Sequence, residues 1–269
     1  MKLYFLGPRG TYSEIASNKV KSLINCEMIP VSTIAKVIEL VNSEVDSVGV
    51  LPIENKIDGI VRPTIDNIFS HNLKIQAEFN LDIIHCLVSK SKDISNIKHI
   101  ISHPQALAQS QKYITQNFDE NIDLICANST AHAGELLKNN DETYSALVSY
   151  KLAQELGYNI IKTDTADIKE NKTRFVVLSK NNLNLSKKTR TTFVFNTKNE
   201  SGALLKILNI IHKYNLNLIY LESRPSKKVF GEYNFFCDID KGDDEIQEAL
   251  REIENECNSY RFLGSYGEI

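Results

Sequence analysis

Strand-length apolar runs alternate with segments of helical period from residue 1 to about residue 179, and few architectures accept that order. KLYFLG leads into TYSEIASNKV and EMIPV into STIAKVIELV. SVGVLPI, GIVRPTIDNIF, KIQAEFNLDIIHCLV, KHIIS, PQALAQSQKYI, IDLICAN, STAHAGELL, SALVS and YKLAQELG continue the pattern to a last strand, RFVVLS. Strand, helical crossover, strand is a βαβ unit, so the succession predicts an α/β fold around a parallel sheet. KNNLNLSKKT, residues 180–189, is polar, lysine-rich and aperiodic, and reads as a linker. Beyond it the order changes. TTFVFNT, LNLIYLES, EYNFFCDID and SYRFLGSY have strand patterns, while SGALLKILNIIHKYN and DDEIQEALREIENE have helical ones, giving a ferredoxin-like βαββαβ unit. Its length, about eighty residues, suits an independent small domain.

The 269 residues, 42% hydrophobic and 24% charged, suffice for two cores. Net charge is -3 with both signs interspersed, which argues against a polyanion-binding face, so nucleic acid is not an expected partner. The apolar run in MKLYFLGPRG is too short for a signal peptide and no stretch is long enough to span a bilayer, so no membrane is expected. Cys26, Cys86, Cys126, Cys237 and Cys257 form no CxxC pair and fall mostly in apolar runs. Reduced, mostly buried thiols in a cytoplasmic chain fit that pattern.

Three turns after strands carry polar groups that could hold a ligand. GPRGTYSE, residues 7–14, places two glycines and then Thr11, Ser13 and Glu14 at a helix start, where free N–H groups can receive a carboxylate or phosphate, or where Thr11 simply caps the helix. In LPIENKIDG, residues 51–59, Asn55 offers a donor and an acceptor to a ligand, or makes a turn. SHPQALAQ, residues 102–109, sets Pro104 at a first helical position, with Ser102 near the cap and Gln105 and Gln109 on one side. His99 and His103 straddle a strand end, so metal-ligand geometry is missing and no metal is expected.

GPRGTYSE, PIENKIDGIVRPTID, SHPQALAQ and NKTRFVVL, in this order, resemble the motifs of the prephenate dehydratases. SGALL and LESRPSKKVFGEYNFF resemble the ACT domain that follows the catalytic domain in that family. The resemblance covers essentially the whole chain. It implies a two-lobed catalytic domain at 1–180, built like the periplasmic binding proteins with a second lobe at about 80–160, then an ACT regulatory domain at 190–269. Three residues depart from the family's pattern: Lys56 stands in place of the usual serine, His132 where small or acidic residues are more familiar, and Ser201 in place of the proline before GAL.

The implied reaction converts prephenate, a dicarboxylate with a ring hydroxyl, to phenylpyruvate, CO2 and water. No cofactor is expected, because the ring accepts the electrons left by CO2. Thr173 matches the catalytic threonine of the family's TRF motif, as a preorganised donor to the departing oxygen. By the same resemblance Asn55, Ser102, Gln109 and Glu54 line the cleft, with backbone amides near Thr11. Arg174 follows Thr173 in a strand, so the two side chains should point to opposite faces; two uses are open to Arg174, pairing with a substrate carboxylate or bracing an interface through an acid. The resemblance further implies inhibition by L-phenylalanine where two ACT domains meet, with Gly202, Ala203, Leu204 and Leu205 at a helix start and Glu222, Ser223, Arg224 and Pro225 completing the site. A homodimer or homotetramer is expected, since a sheet covered by helices on one face has another to bury. Arogenate dehydratase and a non-catalytic amino-acid-sensing binding protein are the alternatives, and Lys56 leaves the choice between prephenate and arogenate open.

Overall fold

The alternating region folds as two sheets, not one. The structure, a computed structural model, describes residues 1–226 and 232–269; residues 227–231, the KKVFG of the ACT-like motif, lie outside the described residues. The first lobe contains β1 (Lys2–Leu6), α1 (Tyr12–Lys21), β2 (Glu27–Val31), α2 (Ile34–Ser43), β3 (Ser47–Asn55), β4 (Gly59–Ile60), α3 (Arg62–Ile68) and β5 (Lys74–Asp82). The second contains β6 (His85–Ser89), β7 (His99–Ser102), α4 (Pro104–Gln109), α5 (Gln111–Asn117), β8 (Asp123–Cys126), α6 (Thr130–Lys138), β9 (Tyr144–Ser149), α7 (Tyr150–Leu156) and β10 (Asn159–Lys162). The chain then returns to the first lobe as β11 (Lys172–Ser179).

The first sheet has the order β2-β1-β3-β11-β5 and the second β10-β6-β9-β7-β8. Neither is wholly parallel. β1 pairs parallel with β2 and β3, but β11 arrives from the other lobe and slots antiparallel between β3 and β5. That register sets Thr173 opposite Asn55 and Arg174 opposite Glu54. β11 is buried on both faces, which is why its sequence, RFVVL, is a continuous apolar run.

The C-terminal unit consists of β12 (Arg190–Asn196), α8 (Ala203–Lys213), β13 (Leu218–Pro225), β14 (Tyr233–Ile239), α9 (Gln247–Glu256) and β15 (Ser259–Tyr266), with sheet order β13-β14-β12-β15. Ile207, Ile211, Leu250 and Ile253 of the two helices pack with Phe193, Phe195 and Cys237 on one face of this sheet. The opposite face is not free. Val194, Phe236, Leu263 and Tyr266 join the core of the first lobe, alongside Ile65, Ile68, Ile75 and Leu178. The argument for a dimer from an uncovered sheet face is therefore corrected: the same chain covers that face.

At this junction Gly264 has φ +140°, and a Cβ on it would collide with the Ile75 carbonyl oxygen, so the close approach of β15 to β5 requires glycine. The terminal residues continue the contact, Glu78 donating to the Gly267 carbonyl and Ile269 to that of Glu78. Even the linker is tied down, with Leu183 and Leu185 packed on the first lobe and the Leu183 N–H donating to Gln76 Oε1. Among the described residues no helix is long and apolar enough to cross a membrane.

Candidate active site

A cavity of about 420 Å3 opens between the lobes. Thr11, Tyr12, Pro52, Asn55, Thr173 and Phe175 reach it from the first lobe, and His103, Gln105, Gln109, Ser129 and Thr130 from the second, with His85 at the crossing. Its polar floor is a chain of amides whose orientation is fixed at both ends. The backbone N–H groups of Ile57 and Asp58 donate to Asn55 Oδ1 at 3.0 Å each, so Asn55 Nδ2 faces the other way and donates to Thr173 Oγ1 and Asn171 Oδ1, both at 2.9 Å. Asn171 Nδ2 donates to Gln109 Oε1 at 3.0 Å, and Gln109 Nε2 donates to Asp58 Oδ2 at 2.6 Å. His85 Nε2 donates to the same Gln109 oxygen at 3.2 Å, which makes Nε2–H the tautomer present.

Two consequences follow from this donor and acceptor order. Thr173 Oγ1 already accepts from Asn55, and its own hydrogen has no acceptor among the described residues, so it is free to donate into the cavity. Burial lowers the pKa of His85, which is 4% exposed, and its Nδ1 has no hydrogen-bond partner; the ring is held neutral. Burial lowers the pKa of His103 as well.

No lysine, arginine, aspartate or glutamate side chain lines the cavity among the described residues. Helix ends supply positive potential instead. Thr11 caps α1, accepting from the Glu14 N–H, and Ser129 caps α6, accepting from the His132 N–H at 3.0 Å. One helix belongs to each lobe, and both N-termini open on the same cavity. Unpaired amides and the helix dipole make such an end receptive to an anion.

Of the residues expected to line the cleft, Thr11, Asn55, Gln109 and Thr173 do so. Three placements are corrected. Ser102 is fully buried and donates to the Leu147 carbonyl, knitting β7 to β9. Arg174 and Glu54 lie on the face of the sheet turned toward the C-terminal unit. Arg174 Nε binds Glu78 Oε2 at 2.6 Å and its Nη2 binds Asp238 Oδ2 at 2.8 Å, with Glu54 at 3.7 Å. Arg190 bridges the same two acids at 2.8 and 3.1 Å. Burial opposes the charge on Arg174, and Tyr266, Asp238 and Glu78 outweigh it, raising its pKa above the ordinary value. Of the two uses open to Arg174, this is the bracing one. Lys56 is exposed, pairs with Glu170 at 3.4 Å and is absent from the cavity wall.

Sequence reasoning missed Asp58, His85, Asn171, Ser129 and Thr130, and noted Gln105 only as lying on the same side as Gln109. Asp58 sat inside a motif already singled out, and Asn171 opens the NKTRF run; His85 had no local signal beyond a histidine in an apolar strand.

A second hollow, of about 380 Å3, lies at the start of α8 and is lined by Gly202, Ala203, Leu204, Leu205, Thr197, Tyr233 and neighbours. Gly202 is the helix cap at φ +81°, and the first intrahelical bond runs from Lys206 N–H to the Gly202 carbonyl. Within the chain Glu222, Ser223, Arg224 and Pro225 do not line it; Arg224 binds Asp66 of α3 at 3.0 and 3.2 Å.

Two α/β lobes closing on a cavity, joined to a βαββαβ unit, define a two-lobed small-molecule-binding protein with an appended regulatory-type domain. Residues 3–183 match the family profile of prephenate dehydratase and residues 191–258 that of the ACT domain. The chain belongs to the prephenate dehydratase family. A prephenate dehydratase of Methanocaldococcus jannaschii is 36% identical, covering 96% of this chain and 95% of its own length. Arogenate dehydratase/prephenate dehydratase 2, chloroplastic, of Arabidopsis thaliana is 31% identical over 99% of this chain and 72% of its own. The crystal structure of a prephenate dehydratase from Arthrobacter aurescens in complex with L-Phe superposes with a TM-score of 0.89 at 30% identity, covering 100% of this chain and 90% of that one.

Proposed function

We propose that this chain is a prephenate dehydratase, converting prephenate to phenylpyruvate, CO2 and water, with residues 1–180 catalytic and residues 190–269 an ACT regulatory domain. The observation that carries the reading is the Thr173 hydroxyl: its oxygen is occupied by Asn55, so its hydrogen is available to the cavity between the lobes. As CO2 leaves, electrons pass into the ring and expel the hydroxyl, which gathers negative charge. Thr173 donates to that oxygen, and the Asn55 amide, donating to Thr173, strengthens the donor. The N-termini of α1 and α6 supply one anion-receptive site per lobe, suited to a dicarboxylate in a cavity with no lysine or arginine on its wall. Asn55 and Gln109 hold the polar edge of the substrate, and no cofactor is called for.

Arogenate carries an ammonium group where prephenate has a keto group. No carboxylate lines the cavity to receive it, and Asp58 Oδ2, just beyond the wall, already takes two glutamine amides. That favours prephenate. Incubating the pure protein with each compound separately tests the reading: phenylpyruvate from prephenate, identified by absorbance and mass, at a higher kcat/KM than phenylalanine from arogenate. Turnover of neither would remove it.

L-phenylalanine is the inhibitor this reading assigns to the hollow at Gly202–Leu205, its carboxylate on the first amides of α8. β13 is an edge strand, and Ile219, Leu221, Leu205 and Tyr233 are exposed around it. An apolar edge beside the hollow suits a homodimer or homotetramer in which Glu222–Pro225 of one chain complete the site of another. Buried, unpaired Cys26, Cys86 and Cys237 suit a reducing cytoplasm.

A further inference from the structure

Asp58 stands in the turn between β3 and β4 of the first lobe, and its side chain is bound by the second. Its Oδ2 accepts from Nε2 of both Gln105 and Gln109, on α4. Among the described residues it has no lysine or arginine partner, so these two amides are what hold the carboxylate. Its backbone N–H meanwhile fixes Asn55 Oδ1 at 3.0 Å. One residue therefore ties the lobes together and anchors both ends of the amide chain that reaches Thr173.

We infer that Asp58 is a positioning residue for the reaction, closing the second lobe onto the first and holding the Gln109 end of the Gln109–Asn171–Asn55–Thr173 relay in place. The inference rests on the dehydratase reading above. A carboxylate only accepts, so both glutamines must present their NH2 groups to it. Gln109 then turns its oxygen to Asn171 and His85, Asn171 turns its oxygen to Asn55, and the second Asn55 hydrogen falls to Thr173. The Ile57 and Asp58 N–H groups fix the same order from the Asn55 end, so the carboxylate's part is to hold the Gln109 end of the chain across the two lobes, and without it the Gln109 side chain keeps, among the described residues, only its contacts with Asn171 and His85. Asp58 is exposed and lies off the cavity wall, so it acts through these residues without touching substrate.

The test compares Asp58→Ala, Asp58→Asn and the parent. Charge-assisted bonds are strong, but exposure discounts them, so Asp58→Ala should lower kcat/KM for prephenate about tenfold, with KM raised and kcat reduced together. Asp58→Asn, whose amide oxygen can accept both glutamines, should return to within about threefold of the parent. Small-angle scattering of the unliganded proteins reads closure without turnover: Asp58→Ala should have the larger radius of gyration. A kcat/KM for Asp58→Ala within about twofold of the parent overturns the inference, even if melting temperature falls, because a merely structural aspartate would move only the latter. If the parent turns over neither prephenate nor arogenate, the dehydratase reading fails by itself; scattering then decides the latch, and equal radii overturn it.

Discussion

Thr173 and Arg174 are adjacent in sequence and opposite in task. A strand sends successive side chains to opposite faces, so Thr173 faces the cavity and Arg174 the C-terminal domain. The alternation was readable in TRF, but which face held the cleft was not, since that depends on Asn55 arriving from 118 residues away. The donor order makes a sharp prediction at Asn55. Asn55→Asp conserves volume but replaces the donor to Thr173 with an acceptor, drawing the threonine hydrogen away from the cavity. Turnover should fall by about 10²–10³, the loss typical of a misdirected oxyanion donor, with the fold intact by circular dichroism. Near-parent turnover would remove Asn55 from the relay. His85 predicts a pH dependence of stability. Its folded-state pKa lies below the ordinary 6.5, because burial disfavours the charge, so as pH falls the unfolded chain takes up a proton first. The stabilisation is complete above about pH 6.5 and is lost as pH falls toward the folded-state value. Urea midpoints measured from about pH 7.5 to about pH 5.5 should fall less for His85→Gln than for the parent, and an equal fall would assign the dependence elsewhere.

β11 is the element on which the molecule turns. It crosses from the second lobe, inserts between β3 and β5, and carries the Thr173 hydroxyl on one side and the buried Arg174 guanidinium on the other. Its apolar run, RFVVL, made the strand legible; its antiparallel insertion was not, because sheet order is a property of pairing across the chain. The capped helix start in GPRGTYSE was legible for the same local reason. That Ser129 brings α6 to the same cavity depends on how two sheets face each other, which no local pattern encodes. Arg174→Ala should cost about 3 kcal/mol by urea denaturation, since it leaves Glu78 and Asp238 buried with only Arg190 between them. A loss below about 1 kcal/mol would reclassify the cluster as solvated and replaceable.

The C-terminal domain is part of the first lobe's core, through Val194, Phe236, Leu263 and Tyr266, and part of its electrostatics, through Asp238 and Arg190. The effector proposed to bind near α8 would act on a domain that meets β11 through the Arg174 cluster. The βαββαβ order was plain in the sequence, whereas docking of its open face on the same chain was not, because one apolar face serves a neighbouring lobe or a second subunit equally well. Gly202→Ala tests the effector site: no atom lies within 4 Å of the added Cβ, but φ +81° strains any side chain, so the helix start should shift by a strain of about 1–2 kcal/mol. Inhibition by L-phenylalanine should weaken while basal turnover is kept, and unchanged inhibition would place the effector elsewhere. The most direct measurement of all is the rate of phenylpyruvate formation from prephenate by the parent, Thr173→Ser and Thr173→Ala, each shown to be folded. A hydroxyl donating to the leaving oxygen predicts that Thr173→Ala loses about two to three orders of magnitude in kcat while Thr173→Ser retains much of it; full activity in Thr173→Ala would contradict the mechanism.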